Sequence, residues 1–351
     1  MHPQALVDTR WLAMPAEWAP HRGTILTWPH RPAIWRGVHA AVEQTFAQLA
    51  AALSAVETVH INVPDATWRD HATLQIRKAK GDIHQITFHL IDSDDVWARD
   101  HGPIFVTARP GAPDNVAKLV MLDWEFNAWG GKFASGLDNQ IPHKMNAYFQ
   151  VPRVQPGLVM EGGSLEVNGA GDLLTTEAVL LNDNRNPQFS RPQIERKLEE
   201  YLGIERLHWL GAGLLGDDTD GHIDDIARFC QEDLVVCVLP EKDHPDYKAL
   251  HENYERLQTM TVAGNRPLRV RTLPSPAPIS FQDEHLPASY ANFYIANSLL
   301  LVPTFAQETD AQALGILQEL FADRRVVGID GRALVTQYGN IHCVTQQIPS
   351  V

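Results

Sequence analysis

The chain has 351 residues, 44% of them hydrophobic and 21% charged, which excludes low-complexity and collagen-like architectures and fits a folded soluble protein. Acidic residues outnumber basic ones 43 to 29, for a net charge of −14; most of this serves solubility, and it favours a small cationic ligand over nucleic acid. Cys230, Cys237 and Cys343 form no CxxC spacing and no even disulfide framework, which argues for a reducing compartment and against structural zinc.

The start of the chain, Met1 to Asp8, lacks a basic segment followed by a long apolar stretch, and no later run approaches membrane-crossing length; a cytoplasmic protein with no membrane partner is expected. A strand is predicted over Thr24 to Trp28. A helix follows from Ile34 to Val56, where Val38, Val42, Phe46, Leu49 and Leu53 form one apolar stripe. Strands are expected at Val59 to Val63 and Ile104 to Val106. Ser190 to Gly203 reads as a helix, capped by Ser190, with Pro192 in its first turn and Gly203 at its end. A strand at Leu234 to Leu239 precedes a helix marked by Tyr247, Leu250, Tyr254 and Leu257. The last elements are a strand at Tyr294 to Val302, a helix through Leu314, Leu317 and Phe321, and a strand at Ile341 to Thr345. Pro29, Pro64, Pro240 and Pro303 are expected to end the strands they follow. No linker divides the chain, so one α/β domain over residues 1–351 is expected.

A repeat runs through the polar segments that precede apolar strand starts. Asp100 to Glu161 is 61 positions (161 − 100), Glu161 to His222 is 61 (222 − 161), and His222 to Cys343 is 121 (343 − 222). This spacing suggests stacked or radial α/β modules that present polar strand ends to a common centre. Coincidence among the loops of a doubly wound sheet would give the same numbers.

Cys343 lies among Asn340, His342, Thr345 and two glutamines, a setting too polar for an inert core cysteine, whereas Cys230 and Cys237 sit in apolar runs and read as packing residues. A thiol nucleophile needs a proton shuttle and a means of holding the electrophile. Gly216 to Asp225 is the densest candidate: in an extended segment His222 and Asp224, two apart, face one side. The same run reads as a solvated acidic loop or a cation site, although it contains neither HxH nor HExxH. Asp94 to Pro103, with a turn at Gly102-Pro103, places Asp100 at a strand entry with Trp97 as a pocket wall; alone, this is an ordinary turn with a buried ion pair. Glu161-Gly162-Gly163 alone is ordinary turn chemistry.

Taken together and in order, these segments are similar to a known family. Met14-Pro15-Ala16-Glu17-Trp18, Trp97 to Pro103, Asp123 to Lys132, Glu161 to Ser164, Leu181 to Pro187, Asp220 to Asp224, Ser289 to Tyr294 and the Cys343 segment resemble the agmatine deiminases and the related bacterial peptidylarginine deiminases. The resemblance implies a five-module α/β propeller (pentein fold) with pseudo-fivefold symmetry and a central active site. It implies Cys343 as nucleophile, His222 as general acid and base, and Asp100 and Asp224 as guanidinium clamps. Glu161 would support His222, and Trp97 would line the pocket. Where the family usually has a glutamate four residues before the histidine, this chain has Asp218, the implied partner of a substrate's far ammonium. Thr336-Gln337-Tyr338-Gly339 replaces a glycine-rich approach to the nucleophile. The implied reaction converts agmatine and water to N-carbamoylputrescine and ammonia without metal or organic cofactor, and the implied assembly is a homodimer. Arginine, peptidyl-arginine or another alkylguanidine is the alternative substrate; a metal-dependent amidohydrolase and a non-catalytic polyamine-binding protein are the alternatives of other classes.

Overall fold

A computed structural model describes residues 6–351; residues 1–5, and with them most of the N-terminal segment read above, lie outside it. Among the described residues are five sheets of three or four strands and two short hairpins. The five sheets share one pairing pattern: an antiparallel pair, then a parallel strand reached through a helix. Tyr294–Ala296 pairs antiparallel with Leu299–Thr304, the helix Thr309–Leu320 follows, and Arg325–Asp330 adds in parallel. Ala227–Gln231, Leu234–Val238, the helix Tyr247–Gln258 and Arg269–Leu273 repeat the pattern. So do Glu166–Val167, Asp172–Thr176, the helix Arg191–Leu202 and Arg206–Leu210. In the fourth case Ile104–Ala108 and Leu119–Leu122 are followed by the helix Ile141–Phe149 and Arg153–Val154. The fifth joins the two ends of the chain: Gln346–Pro349 pairs antiparallel with His21–Thr27, and the helix His39–Leu53 leads to Thr58–Val63. A helical crossover is the compact way to return a chain to a parallel position.

The helices form where their apolar spacing predicts. His39–Leu53 buries Val42, Phe46, Leu49 and Leu53. It begins at His39 rather than Ile34, because Pro32–Trp35 is a 3-10 turn ended by Arg36 and Gly37 in left-handed conformations. Arg191–Leu202 has a full capping box between Ser190 and Gln193 and ends at Gly203 with φ 64°, where a Cβ would lie 2.2 Å from the Leu12 carbonyl oxygen.

Three strand expectations are corrected. Tyr294 to Val302 is two strands, turned at Ser298 (φ 59°). Pro303 lies inside the second of them, so proline does not end that strand. Ile341 to Thr345 is not a strand: residues 341–344 form a turn, and the strand begins at Gln346. No helix among the described residues is long and apolar enough to cross a membrane.

The repeated spacing has its cause in this pattern. Asp100, Glu161, His222, Asn292 and Cys343 each precede the first antiparallel strand of a sheet, those strands beginning at Ile104, Glu166, Ala227, Tyr294 and Gln346. The residues of the candidate site therefore occupy equivalent positions in successive units.

Candidate active site

Each site residue sits in a tight turn rather than in a regular element. Asp100 belongs to the single helical turn Ala98–His101, just before the strand Ile104–Ala108. Glu161 precedes the 3-10 turn Gly162–Ser164. His222 caps the 3-10 turn Ile223–Asp225, which carries Asp224. The extended geometry expected for His222 and Asp224 is thus incorrect. The backbone N–H of His222 donates to Asp217 and to the Thr219 hydroxyl, each at 3.2 Å, and these bonds hold the chain in a turn.

Trp97, Asp100, Asp218 and Cys343 line one cavity of about 350 Å³, together with Trp129 and Tyr338. Cys343 is only 5% exposed. Its sulfur lies 3.1 Å from the Asn292 amide nitrogen, which donates to it, and 3.9 Å from Asp224 Oδ2. His222, Glu161 and Asp224 are buried and linked to these groups: His222 Nδ1 is 3.8 Å from Asp100 Oδ1, and its Nε2 is 3.9 Å from Glu161 Oε2. The structure therefore brings all seven predicted site residues into one contiguous region.

Hydrogen bonds fix the carboxylates while leaving them capacity to bind a ligand. Asp100 accepts from the Gly163 backbone N–H at 2.9 Å and from the Trp129 indole at 3.0 Å. At Gly163 a Cβ would fall 2.4 Å from His222 Nδ1 and 2.9 Å from Asp100 Oδ1, so only glycine lets these groups approach. Glu161 Oε1 accepts from Arg185 at 2.6 Å, and both side chains are fully buried. Asp224 Oδ2 accepts from His342 Nδ1 at 2.6 Å. Its Oδ1, Glu161 Oε2 and both ring nitrogens of His222 are buried with no hydrogen-bond partner in the protein, the arrangement expected where a polar ligand completes the bonding.

His342, Glu17, Arg185, Asn292 and Trp129 are functional neighbours to which the sequence reading assigned no role. His342 joins Asp224 to Glu17, whose Oε2 accepts from Nε2 at 2.7 Å, and Glu17 in turn pairs with Arg228 at 3.0 Å and Arg99 at 3.3 Å. The available signal was position: all but Arg228 fall within the motif segments quoted above. Their partners are 24 to 325 residues away, so no local pattern reveals what they do.

Charge sets the protonation states. Burial, then Asp224, Asp225 and Asp100, push the Cys343 thiol well above its ordinary value, so it is held as SH. Burial pushes His222 down, but Asp100, Glu161 and Asp224 outweigh it and raise the ring to about 10, which makes it an imidazolium at neutral pH. Burial raises Asp100 to about 6 despite His222. Asp224 stays below the usual range because His342, His222 and Arg228 overcome its burial. In the same cavity burial raises Asp218 to about 7 and Asp95 to about 6. Among the described residues one cluster has metal-ligand spacing: the donor atoms of Asp224, Asp225 and Cys343 lie within 4.8 Å of one another.

A thiol, an imidazolium and several unsatisfied carboxylates around one cavity suit a planar cation. The family model described as Porphyromonas-type peptidyl-arginine deiminase matches residues 13–349. The agmatine deiminase of Medicago truncatula is 36% identical, with 96% of each chain covered. The chain belongs to the agmatine deiminase family. Solved structures of that family share its α/β fold. Agmatine deiminase of Enterococcus faecalis superposes with a TM-score of 0.89 at 32% identity, covering 99% of this chain and 100% of that one. A cysteine-to-serine form of the C. jejuni agmatine deiminase, solved with substrate bound, gives a TM-score of 0.87 at 29% identity, covering 97% and 96%.

Proposed function

We propose that this chain hydrolyses the guanidinium of agmatine to N-carbamoylputrescine and ammonia through a covalent intermediate on Cys343. The observation that carries this is that Cys343 and Asp100 line one cavity, with His222, Glu161 and Asp224 buried directly behind them and further acidic groups, Asp95 and Asp218, on the same cavity wall. Asp100 and Asp224 are suited to grip a guanidinium, whose N–H groups form a rigid fork. Asp218 and Asp95 are suited to a distal ammonium.

The thiol is held protonated in the free protein, so the substrate cation is what favours its ionisation. The thiol proton leaves to solvent, and the sulfur attacks the central guanidinium carbon, held at reacting distance by the clamps. His222 donates its proton to the departing nitrogen, and ammonia leaves an S-alkylthiouronium. The now neutral His222 takes a proton from water, the hydroxide adds to the same carbon, and the C–S bond breaks as the hydroxyl proton passes to the departing sulfur, giving the ureido product and Cys343 as SH. Glu161 and Asp100 hold the imidazole and stabilise its charged form. Every bond forming or breaking is to nitrogen, oxygen or sulfur at one carbon, so these residues need no cofactor for the sequence.

Among the described cavity-lining residues Arg36 is the one cation, and it is already bonded to Glu284 and Tyr338. A free arginine carboxylate thus lacks a ready partner, which supports agmatine over arginine. The five like sheets support the propeller reading, in which the units stand around a pseudo-fivefold axis in a single domain over 1–351. Three unpaired, buried cysteines support a reducing, cytoplasmic setting. The test is ammonia release from agmatine, arginine and a blocked arginine peptide by wild type and Cys343→Ser. Agmatine turnover that survives a strong chelator and disappears in Cys343→Ser is expected; near-normal turnover by the variant would sink the scheme, and loss to the chelator would favour the metal-dependent alternative.

A further inference from the structure

Three side chains from separate parts of the chain meet at the rim of the cavity. Arg36 follows the turn Pro32–Trp35, Glu284 begins the second strand of the hairpin Ile279–Phe281 with Glu284–Leu286, and Tyr338 ends the turn Leu334–Gln337. The Arg36 guanidinium donates to Glu284 and, at 3.0 Å, to the Tyr338 hydroxyl, and it lies 5.5 Å over the tyrosine ring. The hydroxyl in turn donates to Glu284 at 2.6 Å. Arg36 and Tyr338 line the cavity whose wall includes Cys343. The side chains of Arg36 and Glu284 are 27% and 50% exposed, against 5% for Cys343, so the cluster lies toward solvent and the thiol lies deep.

The backbone is held to this arrangement. Tyr338 has φ 66°, Arg36 φ 47°, and Gln282 and Asp283, just before Glu284, have φ 52° and 66°. Residues with a Cβ avoid this region, and those that occupy it are kept there by their surroundings. Next to Tyr338, a Cβ on Gly339 would come 2.3 Å from the Trp97 ring, so the segment is also pressed against the pocket wall. An ion pair this exposed adds little to stability. Its consequence is geometric: it ties the segment leading to the nucleophile to two other loops across the mouth.

We propose that Arg36, Glu284 and Tyr338 form a clasp that determines substrate class, admitting a small free guanidine and excluding one carried on a peptide. The inference rests on the deiminase reading above. A cavity of about 350 Å³ is at the small end for ligand sites. An arginine within a peptide would need room at the mouth for main chain on both sides, where the clasp stands. A free alkylguanidine needs none.

The test compares wild type, Tyr338→Gly, Tyr338→Phe and Glu284→Gln in two assays. The first is kcat/KM for agmatine against Nα-benzoyl-arginine amide. The second is the rate of Cys343 modification by a bulky aromatic disulfide against iodoacetamide, read by peptide mass spectrometry. Tyr338→Gly, which suits a positive φ, should shift both ratios toward the larger molecule by about tenfold or more, within the range pocket shape can supply. Tyr338→Phe and Glu284→Gln should shift them in the same direction by less. Unchanged ratios in folded Tyr338→Gly overturn the clasp; if that variant does not fold, unchanged ratios in Glu284→Gln do so. Should wild type turn over neither guanidine, the deiminase reading fails, and the reagent ratio alone decides the clasp.

Discussion

Replacing Asp224 by asparagine separates two effects of one carboxylate that act in opposite directions. Asp224 Oδ2 lies 3.9 Å from the Cys343 sulfur. At an effective dielectric of about 20, a unit charge at that distance opposes a thiolate by about 4 kcal/mol. Asp225 and Asp100 also raise the thiol and remain in the variant, and relaxation softens the change, so the thiol is lowered by only part of that energy. A lower pKa also makes the thiolate a weaker nucleophile, and the net gain in iodoacetamide alkylation at pH 8 is about 3- to 15-fold. Turnover should move the other way. Loss of a charge-assisted bond to the guanidinium costs about 2–5 kcal/mol, or about 30- to 5000-fold in kcat/KM. The asparagine oxygen can still accept from His342 Nδ1, so the fold should survive. Ammonia release and mass-spectrometric labelling of Cys343 give the two numbers. Alkylation that stays equal or slows in Asp224→Asn would refute the claim that carboxylates hold the thiol protonated.

For wild type, kcat/KM should fall as pH drops through about 6, where Asp100 takes up a proton and ceases to clamp a cation, and again as pH rises through about 10, where His222 loses its proton; a profile flat between pH 5 and 7 would contradict this. Gly163→Ala should reduce turnover by about 100-fold or more, because the methyl displaces His222 or Asp100 from positions where about 1 Å matters, while circular dichroism shows the fold retained. Glu17→Gln should cost about 3–5 kcal/mol in urea unfolding, since it leaves buried Arg99 without a carboxylate partner and Arg228 with Glu166 alone. Glu17 is depressed well below its ordinary value, because Arg228, His342 and Arg99 overcome its burial. Its contribution is therefore complete above the unfolded carboxyl range and is lost as pH falls toward the folded value. The gap between wild type and variant should close only in strong acid.

The sequence by itself determined the helices and pointed to the candidate reacting groups. The apolar stripe through Val42, Phe46, Leu49 and Leu53, and the Ser190 and Gly203 caps, are local patterns with a local cause, so their helices form where predicted. The seven candidate residues that the fold gathers in one region could be named because residue type and motif order point to the chemistry, and the 61-residue spacing reflects equivalent positions before successive strands. What only the tertiary structure decided is the geometry and charge of the site. His222 and Asp224 sit in a turn because Asp217 and Thr219 bind the backbone there, and Cys343 precedes its strand rather than lying in it. The His342–Glu17 contact spans 325 residues and the Arg36–Tyr338 contact 302. The thiol of Cys343 stays protonated and the ring of His222 stays charged because of carboxylates brought in from other units. Electrostatic energy depends on distance in space, and separation along the chain does not report it.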